Sequence, residues 1–339
     1  MRTALVLAAL ALCACDKAQF VPLDAGGARP VGRVLPDRTT RPDGPDVAPA
    51  VFVLVSPSLR NDGEAGWDLD RRCTDPPDDP SLDWDAECAP SNAAGRHVAD
   101  LPECVDDGYG QEVAGTFSPL GSGLRDALTA AMELGTSGLL VRLSGFSGEA
   151  NDPELVVDVA PVAYAVPAAG VRGDPPLWDG YDAFATFSDA LDLSGDPLLR
   201  DDAAYVTRGV LVARLGDPAV ITLRAPDRSL TLTLTDAVLT ARVSEDLDGG
   251  LDQFRLSGRW RVERVLEQLD SVGLCDGDAL RMAAEIRIAD AADVRATPRG
   301  GMGSDAPCEA LSVSIGFEAR VGVWSAELEP PSPPPTACP

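Results

Sequence analysis

A two-residue alternation of apolar and polar side chains constrains the fold of this chain more than any other feature of its sequence. The alternation is clearest over 311–323, where apolar residues alternate with Ser312, Ser314, Glu318 and Arg320. Neighbouring side chains of a β-strand point to opposite faces. The pattern therefore predicts a strand with one face in the core and the other face in water.

The same period recurs over 230–243 and 254–262. Its parity changes near Thr235 and Asp236, which predicts a bulge or a tight turn at that point. A short continuous apolar run over 51–55 predicts a further, buried strand. Strands of this kind, separated by Gly, Pro and Asp turns without a regular βαβ rhythm, indicate a mainly β protein. We expect an antiparallel β-sandwich, of which a jelly roll is one form.

Helical spacing is confined to two stretches of the sequence. Ser122 is a favourable N-cap, apolar residues follow at a spacing of three and four, and Gly135 ends the run. This predicts a helix over 123–134. A second helical period covers 262–269. The sheet is therefore expected to carry one or two short helices.

The N-terminus resembles the signal peptide of a bacterial lipoprotein. Arg2 precedes a short apolar run over 4–12, and Leu12-Cys13-Ala14-Cys15 closes it. The run is too short to cross a membrane, which takes about 20 apolar residues. The resemblance implies cleavage after residue 14 and lipid attachment at Cys15. It also implies a cell-envelope location, with the membrane as partner through the lipid and the choice of inner or outer membrane open.

These features divide the chain into four parts. Residues 1–14 are the expected lipoprotein signal peptide, and 15–49 hold the lipidated cysteine and a Pro-rich disordered tether. Residues 50–325 form a single β-rich domain, which includes a long irregular stretch over 57–121. Residues 326–339 are a Pro-rich tail.

Charge excludes one class of partner. The chain has 54 acidic and 28 basic residues, a net charge of -26. Nucleic acid requires clustered positive charge, so we expect no nucleic-acid partner. A protein or a glycan remains open as the partner.

Two acidic clusters have the oxygen ligands that calcium prefers. One contains Asp68 and Asp70. The other contains Asp246, Asp248 and Asp252, for which a Gly-rich acidic hairpin turn is the alternative. Neither cluster follows the EF-hand spacing. We expect no cofactor unless calcium binds at one of them.

Six cysteines remain once Cys13 leaves with the signal peptide and Cys15 carries lipid. An even number in an exported chain favours disulfides. Cys275 and Cys308 flank the elements before the last strand, so we predict a bond between them. In the earlier group we predict Cys88–Cys104.

Histidine-dependent catalysis is disfavoured because His97 is the only histidine. The nucleophile-elbow pattern G-x-S-x-G fails at Glu149. Paired carboxylates for glycoside hydrolysis stay open because acids are abundant. Trp178 and Tyr181 are candidates for a sugar-stacking platform, with a place in the core as the alternative.

Several segments together resemble a group of uncharacterised predicted lipoproteins that is expanded in myxobacteria. The resembling pieces span 66–320 and include GWDLD at 66–70, GFSGEAND at 145–152, WDGYD at 178–182 and PCEALS at 307–312. The resemblance implies a common fold and cell-envelope placement, and it carries no activity. We therefore expect an uncharacterised, non-catalytic surface or binding lipoprotein. The alternative is a carbohydrate-active enzyme or sugar-binding domain on a jelly-roll-like scaffold.

Overall fold

The computed structural model describes residues 33–40, 44–46, 49–59, 66–74, 86–91, 96–166, 174–243, 251–298 and 306–338. Within them lie eleven strands: β1 (Ala50–Ser58), β2 (Leu139–Ser144), β3 (Asp152–Val166), β4 (Ala183–Phe187), β5 (Leu199–Thr207), β6 (Val210–Arg214), β7 (Ala219–Arg224), β8 (Ser229–Val243), β9 (Leu251–Arg261), β10 (Ala310–Val321) and β11 (Val323–Glu329). The α-helices are α1 (Ser122–Glu133), α2 (Val262–Leu266) and α3 (Ala279–Asp290). A π-helix covers Tyr109–Ala114, and 3-10 turns cover Pro102–Cys104, Ser118–Leu120 and Ser188–Ala190.

Eight of the strands form a closed antiparallel barrel in the order β3-β2-β1-β10-β9-β8-β6-β5. Pairing of β5 back onto β3, with Val159 opposite Leu199, completes the circle. The mainly β prediction is confirmed, but the predicted sandwich is wrong. Two-residue alternation reports which face of a strand is buried, and a sandwich and a closed sheet both satisfy it.

Three strands lie outside this circle because two long strands each change partner along their length. β3 pairs with β5 through its first half and with β4 through its second half. β4 then pairs in parallel with β11. In the same way β8 pairs with β7 first and with β6 later. Among the described residues, β8 is the only strand that pairs with β7.

The change of parity in β8 is a bulge. Its pairing with β9 shifts register between Thr235 and Val238, and Asp236 has a φ of 51°. The strand itself continues from Ser229 to Val243. The prediction of a bulge or turn near Thr235 and Asp236 is thus confirmed as a bulge, which lets both halves of β8 bury their apolar face.

Helix α1 agrees with the predicted helix over 123–134. Leu124, Leu128 and Met132 follow its buried side and belong to the main core. Gly135 ends the run with a φ of 68°, a conformation that favours glycine. Helix α2 falls within the second predicted stretch. Helix α3 was not predicted, because its apolar residues also occupy an exposed side.

The outer face of β10 is dry at Ser312 and Ser314, where the alternation predicted water, whereas Glu318 is exposed as predicted. Ser312 and Ser314 are buried, because residues 66–74, 86–91 and 96–114, here called the cap, lie over β9 and β10. Gly108 N–H donates to Ser312 Oγ at 2.7 Å, and Arg259 of β9 donates to the Leu69 carbonyl at 2.9 Å. The prediction of a wet face is therefore wrong at these two serines.

One disulfide lies within the cap, one joins the cap to the segment before β10, and one joins the tail to the segment before α3. The bonds are Cys73–Cys104, Cys88–Cys308 and Cys275–Cys338. The predicted pairs Cys275–Cys308 and Cys88–Cys104 are wrong. Cys88 lies 220 residues before its partner Cys308 and is brought to it by the pairing of Ala89 with Pro307. The spacing of cysteines along the sequence cannot predict a contact between such distant segments.

The C-terminal tail is attached to the domain. β11 continues past 325 to Glu329, and Cys338 then bonds Cys275. Between these points Arg224 donates to the Ser332 carbonyl at 2.9 Å, and Ser229 Oγ donates to that of Pro335 at 2.9 Å. In the part of the chain that the structure describes, no helix has the length and apolar character needed to cross a membrane.

Candidate functional site

Three carboxylates of the cap come together at the start of the π-helix. Asp68, Asp70 and Asp106 each offer an oxygen, and these atoms lie within 4.8 Å of one another. The Cys73–Cys104 bond links residues 66–74 of the cap to residues 96–114. Asp106 Oδ2 also accepts the N–H groups of Leu69 at 2.5 Å and of Asp70 at 3.2 Å, which orders the loop around it.

Each of these carboxyl groups is harder to ionise than in water. Burial raises the pKa of Asp70 to about 8, and neighbouring carboxylates, first that of Asp100, add to the rise. Burial likewise raises the pKa of Asp106 well above its usual range, and raises that of Asp68. Carboxylates this close need a proton or a cation between them to offset their repulsion.

The sequence identified Asp68 and Asp70 as calcium candidates but missed Asp106. The signal for Asp106 was its place in the Asp-Asp-Gly element at 106–108, which pattern alone could not connect to the Asp68 loop. In the second predicted cluster, Asp246 and Asp248 lie outside the described residues. Asp252 lies in β9 opposite Arg242.

A second buried acidic pair lies under the cluster. Asp293 accepts the Ser312 N–H at 2.7 Å, and burial raises its pKa to about 6. Asp107 Oδ1 accepts the Gly110 N–H at 3.1 Å, while its Oδ2 has no hydrogen-bond partner among the described residues. A Cβ at Gly108 would lie 2.6 Å from Asp293 Oδ2. Glycine is therefore required there for close approach of the carboxylate.

A cleft beside β7 is the second candidate site. Its volume is about 330 Å³, and its walls are Val159, Pro161, Phe187, Asp189, Ala190, Leu198, Leu199, Pro218, Val220, Thr222 and Arg224. Most of these side chains are apolar. Arg224 lies over the Phe187 ring at 4.5 Å and also bonds the tail, so its guanidinium is held in place at the cleft.

The main chain of β7 contributes to this cleft as well. In the turn to β8, Ala225 N–H donates to the Arg228 carbonyl. Hydrogen-bonded and non-hydrogen-bonded pairs alternate along an antiparallel ladder, so Leu223 and Ile221 also form hydrogen-bonded pairs with β8. Arg224 N–H instead donates away from β8, to Ser137 Oγ at 3.1 Å. By the same alternation, the N–H and C=O groups of Val220 and Thr222 point away from β8.

The two residues of the predicted sugar-stacking platform, Trp178 and Tyr181, have different environments. Trp178 stacks on Phe184 with 5.5 Å between ring centroids, and the Arg320 guanidinium lies 4.6 Å from the Trp178 ring. Tyr181 is 73% exposed. Trp178 is therefore engaged in packing, whereas a ligand contact by Tyr181 stays a prediction.

Ser147, the serine of the segment that nearly matches G-x-S-x-G, and His97 are the residues considered for nucleophilic catalysis. Ser147 is buried; its N–H donates to Asp152 at 2.8 Å and its Oγ accepts the Glu149 N–H at 3.3 Å. His97 is partly buried, and that burial lowers its pKa. Cys15, the predicted lipidation site, lies outside the described residues.

No family model, curated protein or solved structure matches this chain. The geometry of the acidic cluster and of the β7 cleft is thus the basis for assigning a function.

Proposed function

We propose that the chain is a non-catalytic binding module of the cell envelope, anchored by acyl chains on Cys15. The N-terminal pattern supports the anchor, since two acyl chains suffice for stable membrane attachment and one does not. The disulfides support an exported location, because such bonds persist in oxidising compartments.

The observation that carries the binding role is the β7 cleft. It combines a mainly apolar wall with a few polar groups held in place, which is the usual composition of ligand sites. Its described lining contains one carboxylate, Asp189, whereas glycoside hydrolysis needs two carboxyl groups across the scissile bond. The lining thus favours binding over turnover.

The alternative of a sugar-binding or carbohydrate-active domain has weaker support. Phe187 is the one aromatic residue in the described wall of the cleft, and Arg224 lies over its ring. Asp68 and Asp106 are close together but buried beneath the cap surface. Phe187 is itself buried, so the described part of the wall offers little aromatic surface for a sugar ring to stack on.

Selection from a displayed library of random ten-residue peptides against the detergent-solubilised full chain tests the binding role. We expect the selected peptides to bind the wild type and to lose binding when Ala190→Trp fills the cleft. Ala289→Trp, on exposed helix α3, is the matched control and should bind like the wild type. Peptides that bind Ala190→Trp unchanged would contradict the assignment to this cleft.

The non-catalytic part of the proposal has its own readout. Fluorophosphonate labelling of the purified chain should be absent. Labelling that disappears in His97→Ala would contradict the proposal and favour a hydrolase.

A further inference from the structure

Resting on the proposed binding function, we infer that the β7 cleft receives an extended segment of another protein, which adds to β7 as a strand. β7 is a six-residue strand with β8 as its one strand partner in the described part of the chain. Unpaired main-chain groups at a sheet edge are a template for another extended chain.

The register of β7 determines which groups are available. Thr222 and Thr231 lie opposite each other with their hydroxyls 3.0 Å apart, as at a non-hydrogen-bonded pair. The main-chain groups of Thr222 therefore point away from β8. Val220, two residues earlier, has the same orientation. Together these residues offer two N–H and two C=O groups, the repeat that an incoming strand needs.

The side chains around this edge specify an apolar segment. Val220 is 53% exposed and Leu198, from the opposite wall, is 61% exposed. Both are large apolar groups that an incoming strand would remove from water. Such burial contributes affinity in proportion to the apolar area covered, while the main-chain bonds set the direction and register of the incoming strand.

Charge identifies the partner as basic and disfavours a second copy of this chain. Asp189 and Arg224 both line the cleft and offset each other, so the acidic balance comes from exposed Asp217, which precedes the wall residue Pro218, and from the net charge of -26 on the whole chain. Two such chains repel each other. An extended segment with Val, Ile or Leu interspersed with Lys or Arg is complementary to both the wall and the rim.

The test uses peptides selected from the random ten-residue library on the full chain in detergent. The first comparison is between Val220→Pro and Val220→Thr. Proline removes the Val220 N–H, which points away from β8, and leaves the bonds between β7 and β8 in place, whereas threonine keeps that N–H and the β-branched shape. We expect about a tenfold loss of affinity in Val220→Pro, as for one lost hydrogen bond, and little change in Val220→Thr.

The second comparison leaves the protein unchanged, so it does not depend on how a variant folds. Methylating each peptide nitrogen in turn should weaken binding at every second position, because alternate N–H groups of a strand face its partner. The selected peptides should also be rich in apolar and basic residues. Their affinity should fall as salt increases.

The outcomes separate this inference from the proposed function. Peptides that lose binding in Ala190→Trp but bind Val220→Pro like the wild type, with no two-residue methylation pattern, would overturn strand addition and leave a binding cleft. Selection of acidic peptides would overturn the charge assignment. If no selected peptide loses binding to the Ala190→Trp variant, both the inference and the assignment of binding to the cleft are overturned.

Discussion

Arg259 of β9 and Glu87 of the cap form a buried ion pair across 172 residues of sequence, with Arg259 Nη1 at 2.5 Å from Glu87 Oε2. The guanidinium also donates to the carbonyls of Leu69 and Arg295. The side chains are 1% and 7% exposed. One arginine thus connects the barrel, the cap and the segment after α3.

Removal of Arg259 should destabilise the protein strongly. Arg259→Leu leaves Glu87 buried without its cation, and breaking a buried pair in this way costs about 3–5 kcal/mol. The double variant Glu87→Leu/Arg259→Leu should cost less, since no charge is left unpaired. Urea unfolding measures both values. Arg264→Leu, which removes a surface pair with Glu267, is the control and should unfold like the wild type; a similar loss there would contradict the assignment.

Stability should fall as pH rises. Folding raises the pKa of Asp70 to about 8 and that of Asp293 to about 6, from 3.8 for both, so the folded state holds protons that the unfolded state releases. Their stabilising effect is complete below about pH 4 and is lost through about pH 6 for Asp293 and pH 8 for Asp70.

Asp70→Asn isolates the Asp70 part of this pH dependence. An amide cannot ionise, so the variant should have a higher Tm than the wild type at about pH 8.5 and a similar Tm at about pH 5. Thermal unfolding by circular dichroism measures the four values. Equal pH dependence in wild type and variant would show that Asp70 does not titrate in this range.

Calcium at Asp68 and Asp70 is a prediction of the sequence that thermal unfolding can test. At about pH 8, where Asp70 loses its proton, millimolar Ca²⁺ should raise the Tm of the wild type and a chelator should reverse the rise. The effect should disappear in Asp70→Asn. If it disappears in Asp252→Asn instead, the second predicted cluster binds the ion, and an unchanged wild-type Tm contradicts both sites.

The tail disulfide should stabilise the domain. Cys275–Cys338 closes a separation of 63 residues, which corresponds to about 4 kcal/mol in the chain-entropy model. The double variant Cys275→Ser/Cys338→Ser should lose stability of this order in urea. Non-reducing peptide mapping of the wild type should recover the Cys275–Cys338 peptide. Recovery of Cys275 joined to Cys308 would restore the pairing that the sequence favoured.

The lipid anchor has a direct test. Cys15→Ser should move the protein from the membrane fraction to the soluble fraction, because Cys15 is the predicted point of acyl attachment. Cys13→Ser is the matched control, as that residue is predicted to leave with the signal peptide and should not affect fractionation. A Cys15→Ser protein that stays with membranes would show that the anchor prediction is wrong.

The sequence by itself determined the local features of this protein. The alternation over 311–321 belongs to β10, while the last apolar residue of the predicted run, Val323, begins β11. The parity change at Thr235 and Asp236 is a bulge, and the run after Ser122 is α1. Each of these depends on residues a few positions apart, whose periodicity is the direct consequence of strand and helix geometry. The acidic pair Asp68 and Asp70 was visible for the same reason.

Only the tertiary structure decided which distant segments meet. Pairing of Val159 with Leu199 closes the sheet into a barrel, Asp106 joins Asp68 and Asp70, and the cap buries Ser312. The cleft likewise depends on β7 lying beside parts of β3 and β5. These contacts form because the whole chain buries one shared core at the lowest free energy. The local periodicity of the sequence cannot predict them, since it depends only on residues a few positions apart.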